Sequence, residues 1–212
     1  MTKKAEKIEL KPLGLQYLTV SIEGDSDLVL NKMSAPTCRE LTDIRKDKAK
    51  SNTKPNYWEE IITKIHWRDG NPKEFTEESF RDALVNNAPC IPDFAFYKTF
   101  GDAVVRNGID KYKTKFCATV NLFGKNGLTP IRFASHRIDE ILMSPLKGKP
   151  ILVNLNVFSG WSADIKLAFM ETSFSAEQII NIINLAGFGI GIGTSRNAGR
   201  GRYHVTGVRT GI

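Results

Sequence analysis

The chain is poor in the residues that most enzyme sites and most secreted folds are built from. It has three cysteines and three histidines in 212 residues. Cys38, Cys90 and Cys117 are odd in number and scattered, so they imply no disulfide framework. They share no metal-ligand spacing with His66, His136 or His204, and no metal or other cofactor is expected. GxSxG, HExxH and CxxC motifs are missing, and no GK[ST] is present to make a phosphate loop. No 18-residue apolar run exists, so no membrane-spanning helix and no membrane partner are expected. The opening MTKKAEKIELK lacks the apolar centre of a signal peptide, and a reducing cytoplasm is the expected compartment. After Glu177 there is no Asp or Glu at all.

What is present is an ordinary apolar fraction, 41%, and an excess of cations, with a net charge of +7. The first is enough for a real core and the second favours a polyanionic partner. Positions 15–22, LQYLTVSI, alternate apolar and polar and predict an opening strand. Segment 31–56 is the most charged: Lys32, Arg39, Arg45, Lys46, Lys48, Lys50 and Lys54 outnumber Glu40, Asp43 and Asp47. A short helix is expected over 37–48, either as a solvated face or as a basic flap that orders on a nucleic-acid strand. Helical spacing recurs over 57–67, 75–87 and 93–108, with a break at 88–92. Trp58, His66 and Trp67 read as packing residues, with base stacking the alternative. The chain is thus expected to be a single domain over 1–212, with 31–110 a mainly helical insertion. Strands are expected over 115–122, 129–136, 150–158 and 163–170, with a turn around Gly124 and Gly127 and the last two strands paired with each other.

The stretch 174–205, FSAEQIINIINLAGFGIGIGTSRNAGRGRYHV, organises the rest. Ser175 and Gln178 have capping-box spacing, and Phe174 and Ile179 have hydrophobic-staple spacing. Ile179, Ile180, Ile182, Ile183 and Ala186 form a wide apolar face, with Gly187 expected as the left-handed stop. Gly189, Gly191 and Gly193 follow, then Arg196, Gly199, Arg200, Gly201 and Arg202, and a strand over 202–208. The order helix, glycines, strand is the reverse of a dinucleotide fingerprint, so that reading fails. Two readings remain. In one, glycine amides and Arg196, Arg200 and Arg202 hold phosphate oxygens. In the other, the glycines only cap a helix and bear close approach of a neighbouring strand. The first expects Arg200→Ala to weaken oligonucleotide binding without loss of stability. The second expects Gly191→Val to destabilise and Arg200→Ala to leave binding alone.

A helix, a glycine-rich loop bearing Arg, and a final strand resemble the signature of the RAMP superfamily of CRISPR RNA-binding proteins. The residues that carry the likeness are Gly187, Gly189, Gly191, Gly193, Gly199, Arg200 and Gly201. It is firm over about 40 residues and looser at the opening strand. Uncharacterised bacteriophage proteins with the same glycine-rich ending are also similar. The RAMP resemblance implies an α+β fold: a ferredoxin-like (RRM/RAMP-like) antiparallel sheet, here with a helical basic insertion. It implies RNA binding, with assembly side by side along a strand or beside RAMP-like protein partners.

The function expected from both lines is non-catalytic binding of single-stranded RNA or DNA, RNA ahead. The expected contacts are Arg196, Arg200, Arg202, Gly189, Gly191, Gly193, Arg39, Arg45, Lys46 and Lys48. The alternatives are a phage-type inhibitor that works by protein contact and a RAMP-like endoribonuclease. No family motif falls on any histidine, so no catalytic residue is assigned.

Overall fold

Alternation in the first strand sets the architecture. The computed structural model describes residues 14–45, 56–143 and 150–211. Strand β1 (Leu15–Gly24) buries Leu18, Val20 and Ile22 on one face. After a bend come β2 (Leu28–Leu30), α1 (Ala35–Arg45), α2 (Tyr57–Thr63), β3 (His66–Trp67), α3 (Glu77–Asn86) and β4 (Pro89–Pro92). Helix α4 (Asp93–Arg106) and helix α5 (Lys113–Thr119) lead into β5 (Val120–Leu122), β6 (Leu128–Arg132), β7 (Ser135–Met143), β8 (Ile151–Ser159) and β9 (Ser162–Met170). The chain closes with α6 (Ala176–Gly189), a 3-10 turn at Arg196–Ala198, and β10 (Tyr203–Thr210).

The main sheet runs β10-β1-β9-β6-β4-β3, with β5 also paired to β9. Its first four strands are antiparallel neighbours and, with α4 and α6, give the ferredoxin-like order 4-1-3-2. One face of this sheet packs on α4 and α6: Leu18, Val20, Ile165 and Leu167 share a core with Phe96, Phe100, Ile179, Ile182 and Ile183. Helix α6 begins as its sequence dictates. Ser175 Oγ accepts from the Gln178 amide at 3.2 Å, and the Ser175 amide donates to Gln178 Oε1 at 2.9 Å. A second sheet, β2-β8-β7, stands apart from the first. Lys64, on the α2 side, ties to it by donating to the Asn154 carbonyl at 3.0 Å.

Several local expectations give way to tertiary packing. The expected pair of strands at 150–158 and 163–170 forms as strands but not as a pair: β8 joins β2 and β7, and β9 joins β1, β5 and β6. The corner between them is Gly160, at φ +59°, and Trp161, which is fully buried and donates Nε1–H to the Ser26 carbonyl at 2.8 Å. The expected strand over 115–122 is instead α5 followed by the short β5, because a helical turn delivers Phe116 into the core between Phe100 and Phe174. Gly187 does not stop α6; the helix runs on to Gly189, and Gly187 is small because Tyr203 lies against it. The break at 88–92 is strand β4, with Cys90 and Ile91 buried. Segment 31–110 holds α1 to α4, but β3 and β4 also extend the main sheet, and α4 belongs to the helical layer beside α6. Trp67 is buried and Trp58 packs against the core, so both are packing residues.

Candidate nucleic-acid interface

The glycine loop is held by its own chain. Gly191, Gly193, Gly199 and Gly201 all have positive φ, a region that side chains with a Cβ rarely adopt. A Cβ on Gly201 would overlap the Ile192 carbonyl, and one on Gly193 would lie 2.6 Å from the Val29 carbonyl oxygen. The amides do the same work. Ile192 N–H donates to the Gly201 carbonyl at 2.9 Å, Thr194 N–H to Val29 at 2.9 Å, and Gly201 N–H to Asp27 at 2.8 Å. The close approach that glycine permits is therefore to β2 and to the loop itself. Gly189, by contrast, is exposed in the last helical turn with open space around it.

The arginines of the loop are engaged as well. No acid follows Glu177 in sequence, yet the fold brings acids in from elsewhere. Arg200 Nη1 donates to Asp27 Oδ2 at 3.0 Å, and its Nη2 lies 3.5 Å from Asp139 Oδ2. Arg137 donates to the same Asp27 oxygen at 2.6 Å, and Ser159 Oγ donates to Asp27 Oδ1 at 2.6 Å. The Ser159 hydroxyl, and after it Arg137, hold the Asp27 carboxyl below its ordinary pKa. Arg202 Nη1 donates to the Phe188 carbonyl at 3.0 Å, satisfying an orphan acceptor at the C-terminal end of α6. Arg200 and Arg202 lie on no common strand face, since both precede β10 and a left-handed Gly201 separates them. Arg196 is half-buried in the 3-10 turn and forms no ion pair with a described residue. Arg39 makes a two-pronged contact with Glu59, at 2.6 and 2.8 Å. Arg45 is exposed at the end of α1, and Lys46 and Lys48 lie outside the described residues.

A second candidate surface, outside the loop, is the other face of the main sheet. Strand register fixes its rows. Tyr17 pairs with Ala168, which pairs with Asn121. Arg209 pairs with Thr19, which pairs with Lys166. His204 pairs with Glu23, Glu23 with Ser162, and Ser162 with Arg132. Phe123 follows β5 and donates its amide to the Lys166 carbonyl at 2.9 Å, which sets it beside Lys166. Tyr17 and Phe123 thus lie diagonally across β9, with ring centroids 6.2 Å apart and planes tilted by 34°. They are 42% and 43% exposed. The small side chain of Ala168 leaves room for both rings. Lys166 is exposed and forms no ion pair with a described residue.

Asp164 occupies the middle of this face. Its Oδ1 accepts from Ser21 Oγ at 2.7 Å, and its Oδ2 accepts from Arg132 Nη1 at 2.9 Å. Arg209 Nη2 lies 3.9 Å from the same Oδ2. Burial opposes ionisation of Asp164, but the Ser21 hydroxyl and Arg132 outweigh it, and its pKa lies below the ordinary value. The two arginine side chains remain largely exposed, at 62% and 70%.

The histidines stand apart from one another. His136 packs against Phe158 and Phe80, its Nε2 lies 3.1 Å from Asn156 Oδ1, and burial lowers its pKa. His66 is half-buried at the sheet edge, and His204 Nδ1 meets Asp25 Oδ1 at 2.6 Å. Asp25 and Asp27, two residues apart, serve different partners, His204 and the Arg137–Arg200 cluster. Among the described residues no group of three His, Cys, Asp or Glu side chains is placed to hold a metal ion. Among them, too, no helix is long and apolar enough to cross a membrane.

Among the described residues, helices on one face, an uncovered antiparallel sheet face on the other and the 4-1-3-2 strand order define an α+β, ferredoxin-like protein of RAMP-like fold. No protein-family model matches the chain, and no curated protein matches its sequence. Among solved structures it is similar to a chain in the cryo-EM structure of the type III-B Cmr-β bound to cognate target RNA. The TM-score is 0.54 at 10% identity, over 93% of this chain and 61% of that one. It also matches the crystal structure of Cmr6 from Pyrococcus furiosus, at a TM-score of 0.34 and 14% identity, over 92% of this chain and 100% of that one. The chain spans about three fifths of the Cmr-β chain it matches.

The new candidates, Tyr17, Phe123, Lys166, Arg132 and Arg209, left only a partial trace in the sequence. Tyr17 sits on the polar side of the alternating strand, where an aromatic is out of place unless it meets something. Phe123 had no such signal, because its position depends on the pairing of β5 with β9.

Proposed function

We propose that this chain is a RAMP-like protein that binds single-stranded RNA without cleaving it. The observation that carries the reading is the open sheet face, where two half-exposed aromatic rings lie beside Lys166, with Arg132 and Arg209 beyond. Exposed rings stack on unpaired bases, and flanking cations meet the phosphates between them. A net charge of +7 supports a polyanionic ligand. That a fold relative comes from an RNA-bound assembly supports putting RNA ahead of DNA in this proposal. Side-by-side assembly along the strand, or beside RAMP-like partners, belongs to the same reading, and sedimentation with and without RNA checks it.

The test is binding of a labelled RNA 10-mer, followed by anisotropy, against the same sequence as a duplex. The single strand should bind more tightly, and its affinity should fall steeply with salt, as counterion release requires. Equal affinity for duplex and single strand, or an affinity flat in salt, would remove the reading.

A protein-directed role draws on a different surface. The far end of the β7–β8 hairpin exposes Leu142, Ile151 and Leu152, apolar side chains that fit protein contact. Protein purified without co-purifying nucleic acid, and with no affinity for the 10-mer, would favour that role.

A further inference from the structure

We infer that Asp164 sets the specificity of the sheet face: by occupying Arg132 and Arg209, it prevents charge alone from holding a polyanion and leaves the choice of ligand to base stacking. The inference rests on the proposed RNA-binding face and adds to it a residue that discriminates among polyanions.

The geometry has three parts. Arg132 and Arg209 come from β6 and β10, strands on opposite flanks of the β1–β9 pair, and both reach toward one carboxylate oxygen of Asp164. Ser21 Oγ holds the other oxygen at 2.7 Å, and Arg132 is steadied by its Nε bond to Ser162 Oγ at 3.2 Å. The carboxylate is therefore fixed, while the guanidinium groups stay exposed to a competing anion.

A phosphate that approaches this half of the face meets two cations and one fixed anion. Exchanging an exposed carboxylate partner for a phosphate gains little, because exposed ion pairs are themselves weak. The anion left behind also repels the newcomer. The aromatic half, Tyr17 and Phe123, is not neutralised in this way and offers stacking, which a duplex with paired bases or a polymer without bases cannot use. The site therefore favours ligands with unstacked bases, and the carboxylate enlarges that preference by weakening everything else.

The experiment compares wild type with Asp164→Asn, which keeps the shape and removes the charge. Three probes are used: the RNA 10-mer, its duplex and an inorganic polyphosphate of similar length. Asp164→Asn should raise affinity for polyphosphate and duplex by roughly tenfold, and for the single strand by roughly threefold or less, with a salt slope for polyphosphate steeper by about one. The preference for single strand over duplex should fall accordingly. Adding Arg132→Gln and Arg209→Gln to Asp164→Asn should return polyphosphate affinity to the wild-type level. A melting curve for each variant verifies folding.

An unchanged ratio of single-strand to duplex affinity in Asp164→Asn overturns the inference while leaving the RNA-binding face standing. So does a general loss of binding, which would make Asp164 an organiser of the arginines. A gain that survives in the triple variant overturns it too, since the arginines would not be its source. Wild-type protein with no preference for the single strand removes the proposed function and this inference together.

Discussion

The glycine loop and the open sheet face are both rich in arginine, but they use it in opposite ways. In the loop, Arg200 bridges Asp27 and Asp139, Arg202 covers the end of α6, and the amides close on β2. On the sheet, Lys166 stands in solvent and Arg132 and Arg209 share one carboxylate at their tips. The loop is the more conspicuous in sequence, and the sheet face is the more available in space. Conspicuous glycine follows from strain, because a backbone that crosses its own chain closely needs residues without a Cβ. Availability for a ligand follows from what the fold leaves unpaired, and a strand's outward face is unpaired by default.

Four outcomes would sharpen or break this contrast. The largest effect belongs to the loop. Gly201→Ala adds a Cβ where the Ile192 carbonyl already lies, on a backbone at φ +69°. It should destabilise by about 3 kcal/mol or more, as strain at a special backbone position does. Urea titration would measure this. A protein of unchanged stability would return the loop glycines to the list of ligand contacts.

Next comes the aromatic pair. Tyr17→Ala with Phe123→Ala should weaken single-strand RNA binding by about thirtyfold or more, since each stacked base is worth about 1–3 kcal/mol and two rings are lost. Both rings are half-exposed, so the melting temperature should move little. Normal binding by this variant, read by anisotropy, would mean that the rings are ornamental to RNA binding and that the contrast has no functional content.

Arg200→Ala is the direct comparison between the two regions, and its effect is smaller. It removes contacts to Asp27 and Asp139 in a half-exposed cluster, which should reduce stability by about 1 kcal/mol. RNA affinity should change by less than about threefold, the fate of a charge that never meets the ligand. If affinity falls tenfold while stability holds, the phosphate-binding reading of the loop is the better one.

The smallest effect is in pH. Asp27 has a folded-state pKa below its unfolded value, held there by Ser159 and Arg137. A carboxyl depressed in this way contributes stability that is fully present above the unfolded value, about 3.9, and is lost as pH falls through the lower folded value. Asp27→Asn should therefore lose a little stability at neutral pH and show a shallower acid limb below about pH 4. Parallel acid titrations by circular dichroism would decide. Identical limbs would show that the cluster tying the loop to β7 is too solvent-screened to matter.

Local chemistry carried much of the fold. Alternation in LQYLTVSI was enough for β1, the Ser175–Gln178 box was enough for the start of α6, and apolar spacing placed α2, α3 and α4 within a few residues. These are properties of neighbours in the chain, so a single sequence contains them. The resemblance of the C-terminal stretch to RAMP proteins pointed to the ferredoxin-like sheet that the structure has.

Pairing was a different matter. Nothing local says that β8 and β9, separated by only Gly160 and Trp161, belong to different sheets. That is decided by burial of Trp161 under the bend after β1 and by a left-handed turn at Gly160. Nor can a sequence without acids after Glu177 show that Asp27 and Asp139 neutralise Arg200, because charges meet through space rather than along the chain. The candidate interface has the same character. Tyr17 was visible as an aromatic on the polar side of a strand. Phe123, Lys166, Arg132 and Arg209 come to the same sheet face as Tyr17 only because β5, β6 and β10 take their register from β1 and β9, and register is a tertiary fact.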